Sequence, residues 1–175
     1  MKRSGFKKKT LDEVIAQQAK KKRTTSRIKR SRGISKPKTK PVKTISKLKK
    51  ELWKLFSLYI RTRDNFTCVT CGKKGEGGAI HAGHFITGAT CGTELYFDED
   101  NVHAQCYHCN INLSGNWVKY EEFMVNTIGY GKVETLKRRR TLEMGRKITS
   151  EWYEQKITEY KEKNKQALIL LQEMW

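Results

Sequence analysis

The sequence predicts an α+β fold: a small sheet organised by four cysteines, helices on either side of it, and a disordered basic arm in front. Three observations point there. Cys68-Val-Thr-Cys71 and Cys106-Tyr-His-Cys109 are two C-x-x-C pairs separated by 34 residues. Apolar residues recur at helical spacing before and after that segment, while a short strand pattern lies inside it. Charge is unevenly divided: residues 1–50 hold 20 Lys/Arg against Asp12 and Glu13, and residues 51–175 hold 17 basic and 16 acidic residues.

The 175 residues suit one compact domain with extensions. The expected organisation is a basic arm over 1–44, a helix plus cysteine module over 45–116, and a helical region over 117–175. A polycation needs a polyanion, and nucleic acid is the expected partner. A membrane surface fits less well, since the arm has no Trp and only Phe6 as an aromatic anchor. No run of about 18 apolar residues can span a bilayer. No apolar stretch follows the basic Met1–Thr10 as a secretory signal would require. Paired cysteines fit metal binding in a reducing compartment, so a soluble cytoplasmic protein is expected.

Within the arm, Leu11–Lys22 has some helical pattern, but Pro37 and Pro41 interrupt a Lys/Arg/Ser/Thr-rich remainder. From Thr44 to Arg63, Ile45, Leu48, Leu52, Phe56, Tyr59 and Ile60 mark one apolar helix face; Lys47, Lys50, Lys54 and Arg61 lie on the other. Phe66–Gly72 reads as a knuckle, and Ala79–Ile86 as a strand carrying His81 and His84. A Gly/Thr loop (87–93) follows, with Leu95–Phe97 and Val102–Gln105 expected to supply the opposing strand and its approach. Cys106–Leu113 is expected to begin a helix. Trp117–Ile128 reads as a helix stopped by Gly129. Lys132–Arg140 is a short basic segment, and Thr149 or Ser150 caps a long last helix. Trp152, Ile157, Tyr160, Leu168, Leu171 and Trp175 are its apolar positions, available for packing or for a second subunit.

Two C-x-x-C pairs can bring four thiolates to one tetrahedral Zn²⁺, so Cys68, Cys71, Cys106 and Cys109 are the expected ligands. Four protein ligands leave no open position for water, which makes this zinc structural. Cys91 is left over without a role, and His103 and His108 read as ordinary core or surface residues.

Between the pairs the polar residues follow a distinctive order: Gly83-His84, then Asn101-Val-His-Ala-Gln-Cys106-Tyr-His-Cys109-Asn110, then Ser114-Gly115. This order resembles the HNH, or ββα-metal, nuclease module. More closely, Ala82-Gly83-His84, Asn101-Val102-His103, Gln105-Cys106, Cys109-Asn110 and Ser114-Gly115-Asn116 resemble the lambdoid-phage NinG (Rap) recombination proteins. The similarity covers about residues 50–165 and is only compositional over 1–44. It implies a zinc-stabilised ββα-metal (HNH-like) core with flanking helices, and a metal-dependent endonuclease in phage recombination that cuts Holliday junctions or D-loops.

The resemblance also assigns roles. His84 is the general base that deprotonates water, a task a neutral imidazole can perform. Asn110 is a ligand to a catalytic Mg²⁺ or Mn²⁺ and offers a hard oxygen. Asn101 holds the loop so that the base points correctly. Many such modules carry Asp directly before the base, but Gly83 stands there. His81 shares the strand face of residue 83, so it is the substitute ligand, and its imidazole favours Mn²⁺, Zn²⁺ or Ni²⁺ over Mg²⁺. DNA phosphates are expected on Lys20, Lys21, Lys22, Arg23, Arg27, Lys29 and Arg30 of the arm and on Lys137, Arg138, Arg139 and Arg140. A homodimer through the last helix suits the two strands of a junction.

Two other functions fit parts of the pattern. A non-catalytic zinc-ribbon DNA- or RNA-binding protein explains the charge and the thiols but leaves His84, Asn101 and Asn110 idle. A nucleic-acid-associated structural factor would use the arm alone.

Overall fold

The computed structural model describes residues 43–75 and 77–173. The arm, including the expected helix over Leu11–Lys22 and the cations from Lys20 to Arg30, lies outside the described residues.

Helix α1 spans Ile45–Arg63, and its Leu48, Leu52, Phe56 and Ile60 are buried along one stripe. Ile45, at the mouth of that stripe, is exposed. The helix ends in a tight reversal: Asp64 N–H returns to Ile60 O, and Asn65 and Phe66 both adopt positive φ. Arg63 and Asp64 then reach across to the sheet. Arg63 donates to the carbonyls of Glu99 and Val102, while Asp64 Oδ2 accepts the Ala104 N–H at 2.7 Å. The turn therefore fixes how α1 sits on the strands.

Two antiparallel strands form the sheet. Strand β1 is Ile80–His84, preceded by a 3₁₀ turn at Gly77–Ala79, and β2 is Val102–Cys106. The register pairs Ile80 with Cys106, His81 with Gln105, Gly83 with His103, and His84 with Val102. Side chains alternate, so residues 81, 83, 103 and 105 share one face while 80, 82, 84, 102, 104 and 106 share the other. β1 is shorter than expected because beyond His84 its partners change. Phe85 N–H bonds to Asn101 O, and Ile86 N–H bonds to the Asn101 side chain.

Two expectations are corrected. Leu95–Phe97 is not part of the opposing strand: Thr93–Tyr96 is a single helical turn, α2, and Phe97 follows it. Leu95 has no backbone groups left for a ladder, because its N–H goes to Glu143 Oε2 and its carbonyl accepts Asn101 Nδ2. Cys106–Leu113 is not the start of an ordinary helix either. Cys106 completes β2, and His108–Asn112 forms one π turn closed by Leu113 N–H to His108 O at 2.9 Å. Ser114, Gly115 and Asn116, all at positive φ, end it at once.

Helix α3 is Trp117–Ile128, stopped at Gly129. The basic segment is longer and more regular than expected, forming helix α4 over Tyr130–Leu142. Helix α5 is Ser150–Glu173, with Thr149 Oγ1 accepting the Trp152 N–H near its start. Tyr153, Ile157 and Tyr160 of α5 join α1, Phe97 and Val102 in one apolar cluster. Phe85, Ile86 and Leu95 join Tyr120 and Met124 of α3 with Val133 and Leu136 of α4 in a second. The sheet is held between the two clusters. Among the described residues, no helix is long and apolar enough to cross a membrane.

Candidate nuclease and metal site

The Sγ atoms of Cys68, Cys71, Cys106 and Cys109 all lie within 4.8 Å of one another. Cys71 Sγ and Cys106 Sγ are 3.7 Å apart. A tetrahedron with Zn–S bonds of about 2.3 Å has edges of about 3.8 Å, so the spacing suits one zinc ion. Local backbone bonds build the first pair. Cys68 N–H reaches Lys73 O, Gly72 N–H returns to Cys68 O, and Gly72 takes the positive φ of 72° that the turn needs. Val69 N–H bonds to Ala104 O and ties this knuckle to β2, whose last residue is Cys106. Thr70 Oγ1 lies 3.2 Å from Cys68 Sγ, and Asn116 Nδ2 donates to Cys109 Sγ, so two thiolates have donors of their own. Cys91 stands apart, partly buried beside the second apolar cluster.

His84 sits at the end of β1 in an aromatic box. Its ring stacks on Trp53 at 5.3 Å with a 10° interplanar angle, and Tyr96 lies tilted against it at 4.5 Å. Nε2 is 3.0 Å from the Tyr96 carbonyl oxygen. A carbonyl can only accept, so Nε2 carries the proton and Nδ1 keeps its lone pair. Burial lowers the imidazole pKa below its ordinary 6.5; the Tyr96 carbonyl opposes this, and the charge of Lys49 adds to it. The loop over 87–93 closes on this box: a Cβ at Gly88 would come within 2.6 Å of the Tyr96 ring.

Asn101 is fully buried and commits its carboxamide to backbone. Its Oδ1 accepts from Ile86 N–H at 2.7 Å, and its Nδ2 donates to Ile86 O and Leu95 O. It spans the loop whose far end presents the Tyr96 carbonyl. Asn101 thus touches the protein rather than a ligand, and acts as a brace behind His84.

His81 and Asn110 meet: Asn110 Nδ2 and His81 Nδ1 are 3.2 Å apart. Both line a cleft of about 380 Å³ together with Trp53, Ser57, Arg61 and Ala82. His84 is not in that lining, but Trp53 belongs to both places, facing the cleft and stacking on His84. Arg61, anchored by its Nε to Ser57 O, contributes a cation to the cleft wall. His103 lies elsewhere, buried against Tyr120 and Phe123, and His108 is exposed on the π turn.

The basic run of α4 is divided. Lys137 is paired with Glu121 and Glu134, and Arg139 with Asp98 and Glu143. Arg138 and Arg140 are exposed. Sequence reasoning missed Trp53 and the Tyr96 carbonyl. Trp53 sits three residues before Phe56 at the margin of the apolar stripe, which was the one signal for it; a backbone carbonyl leaves none.

Comparisons with known proteins agree on one relationship. The family described as bacteriophage lambda NinG protein matches residues 2–168. Protein NinG of Salmonella phage P22 is 34% identical over 124 residues, covering 67% of this chain and 60% of the relative. That of Escherichia phage 933W is 33% identical with the same coverage. That of Escherichia phage lambda is 32% identical, covering 67% of this chain and 59% of the relative. The chain thus aligns with about 60% of the length of these curated relatives. No solved structure matches it.

Proposed function

The chain belongs to the bacteriophage lambda NinG protein family, and we propose that it is a metal-dependent endonuclease of the HNH type that hydrolyses phosphodiesters in branched recombination intermediates. The observation that carries the reading is the His84 Nε2–H bond to the Tyr96 carbonyl. It leaves Nδ1 as a base of fixed direction, and burial keeps that base neutral near pH 7. Nδ1 takes a proton from water, the water oxygen attacks phosphorus, and the bond to the 3′ oxygen breaks. Asn101 and the Trp53 stack hold the imidazole while this happens.

The residues of the cleft fit a divalent cation. Two neighbouring ligands at about 2.1 Å from an octahedral ion lie about 3.0 Å apart; Asn110 Nδ2 is 3.2 Å from His81 Nδ1, so half a turn of this carboxamide would set its oxygen at ligand spacing. When bound there, Mg²⁺ or Mn²⁺ would neutralise charge on the phosphoryl and leaving oxygens. One nitrogen and one neutral oxygen form a borderline donor set, which favours Mn²⁺. Arg61 on the cleft wall offers a planar cation to a phosphate. The four-cysteine centre has no open position and supports the strand and π turn instead.

The preference for four-way junctions or D-loops rests on the family resemblance, as does a homodimer through α5. DNA would be held by the arm and by the exposed Arg138 and Arg140, through contacts blind to sequence. A zinc-bound module that only binds nucleic acid explains the thiols and the charge equally well, but gives His84 no task. Titrating Mg²⁺ and Mn²⁺ into the protein with labelled four-way junction, linear duplex and single strand separates the two. Metal-dependent nicking of the junction is expected. Absence of cutting on every DNA with either metal would leave the binding module.

A further inference from the structure

We infer that Gln105 is a positioning residue for Asn110: its buried carboxamide oxygen accepts a hydrogen bond from Asn110 Nδ2, turns the Asn110 oxygen toward His81, and needs Gly83 to be without a side chain.

Gln105 is fully buried on the strand face it shares with His81 and Gly83. Its Nε2 donates to the Gly115 carbonyl at 2.8 Å, which can only accept, so the two ends of this carboxamide are assigned by their partners. Oε1 then points the other way. It is the buried side-chain atom, among the described residues, that has no hydrogen-bond partner. A buried acceptor without a donor is costly, and a donor is expected within reach.

The neighbour that can supply one is Asn110. A Cβ built on Gly83 would lie 2.3 Å from Gln105 Oε1 and 3.0 Å from Asn110 Oδ1. Two carboxamide oxygens therefore converge on the space above Gly83 with no proton between them. The nitrogen and oxygen of a carboxamide are nearly the same shape, and hydrogen bonds decide which end faces where. Half a turn of the Asn110 amide puts Nδ2 where Oδ1 stands, on the side of Gly83 that Gln105 Oε1 also faces. The same turn brings Oδ1 to the place 3.2 Å from His81 Nδ1. The chain of bonds then runs from Gly115 O through Gln105 to Asn110 and ends in an oxygen beside an imidazole nitrogen.

This gives Gly83 a physical reason. Its φ is not in the left-handed region, so backbone conformation does not demand glycine there. Space does, because even a methyl group would strike Gln105 Oε1. A side chain at residue 83 would therefore have to displace the Gln105 carboxamide. The consequence for cation affinity rests on the nuclease reading; the hydrogen bond itself does not.

Two readouts on the full-length, zinc-loaded chain keep those apart. The first is the side-chain ¹⁵N–¹H pair of Asn110, identified by its loss in Asn110→Asp. Its exchange protection is expected to vanish in Gln105→Leu and to survive in His81→Ala; the reverse pattern would overturn the inference. The second is Mn²⁺ alone, titrated by electron paramagnetic resonance. Affinity is expected to fall 10–100-fold in Gln105→Leu. Gly83→Ala, which displaces Gln105, is expected to match it, and the double variant to be no worse than the weaker single. Zinc content and circular dichroism serve as fold controls. Mn²⁺ affinity that falls in His81→Ala and Asn110→Ala but stays within twofold in Gln105→Leu would overturn the inference and leave the nuclease reading standing. No Mn²⁺ binding by the unaltered chain, with the Gln105-dependent protection intact, would remove the proposed cation and leave the hydrogen bond.

Discussion

At His84 the proposed chemistry turns on one lone pair. Because burial depresses its pKa below 6.5, the imidazole stays neutral to lower pH than a free histidine. The rate of a reaction that needs the neutral base should be level around pH 7 and fall only as the pH drops through that depressed value. A pH–rate profile with its acid limb below 6.5 is expected; a limb above it would mean that another group limits the rate. Asn101 makes a different kind of contribution. Replacing it with Ala would orphan the Ile86 N–H and the Ile86 carbonyl and would leave the Leu95 carbonyl with only the Asp98 N–H. At about 1–3 kcal/mol for each buried orphan, denaturant unfolding should show a loss of about 2 kcal/mol or more. At this scale the four-cysteine cluster and the placing of His81 beside Asn110 were legible. His84, Asn101 and Asn110 stand at fixed offsets from cysteines, and offsets survive in a linear string. The importance of Gln105 and Trp53 was not legible, because it comes from neighbours (Gly115, Gly83 and His84) that only the folded chain brings to them.

Strands and turns show where local pattern gave way to tertiary demand. Helix α1 was readable from its four-residue apolar stripe, and α3 from the Gly129 stop. Leu95–Phe97 looked like a strand because it is apolar and aromatic, but Glu143 on the segment after α4 takes the Leu95 N–H. The segment after Cys106 looked like a helix, yet Cys109 N–H turns to Cys106 Sγ and Ser114 to Asn116 adopt positive φ. The pairing of β1 with β2 also buries His103, whose pKa is held down at about 4 by desolvation, with Arg63 adding to the effect and Asp64 opposing it. The folded state thus binds this proton less readily than the unfolded chain. Its contribution to stability is whole above pH 6.5 and is lost as the pH falls toward 4, amounting to about 3 kcal/mol. Unfolding free energies at pH 7 and pH 4 should diverge more in the natural protein than in His103→Leu. An equal divergence would show that folding does not change how readily His103 takes up a proton.

For the whole molecule, charge and chemistry are separated along the chain. Nearly all of the net charge of +19 lies in residues 1–50, while the described body carries the cysteine centre and the cleft. The body pairs several of its own basic residues internally, as Lys137 and Arg139 illustrate. Deleting residues 1–44 should therefore weaken junction binding and flatten its dependence on salt, by close to one unit of log–log slope for each phosphate that the arm neutralises. An unchanged slope would make the arm a bystander. The most direct measurement is the single-turnover nicking rate of a pre-bound four-way junction in Mn²⁺, compared between the natural chain and His84→Ala. Loss of general-base help should slow cleavage by about 10²–10⁴-fold while junction affinity stays within twofold. Equal cleavage rates for the two proteins would contradict the assignment of His84 as the base.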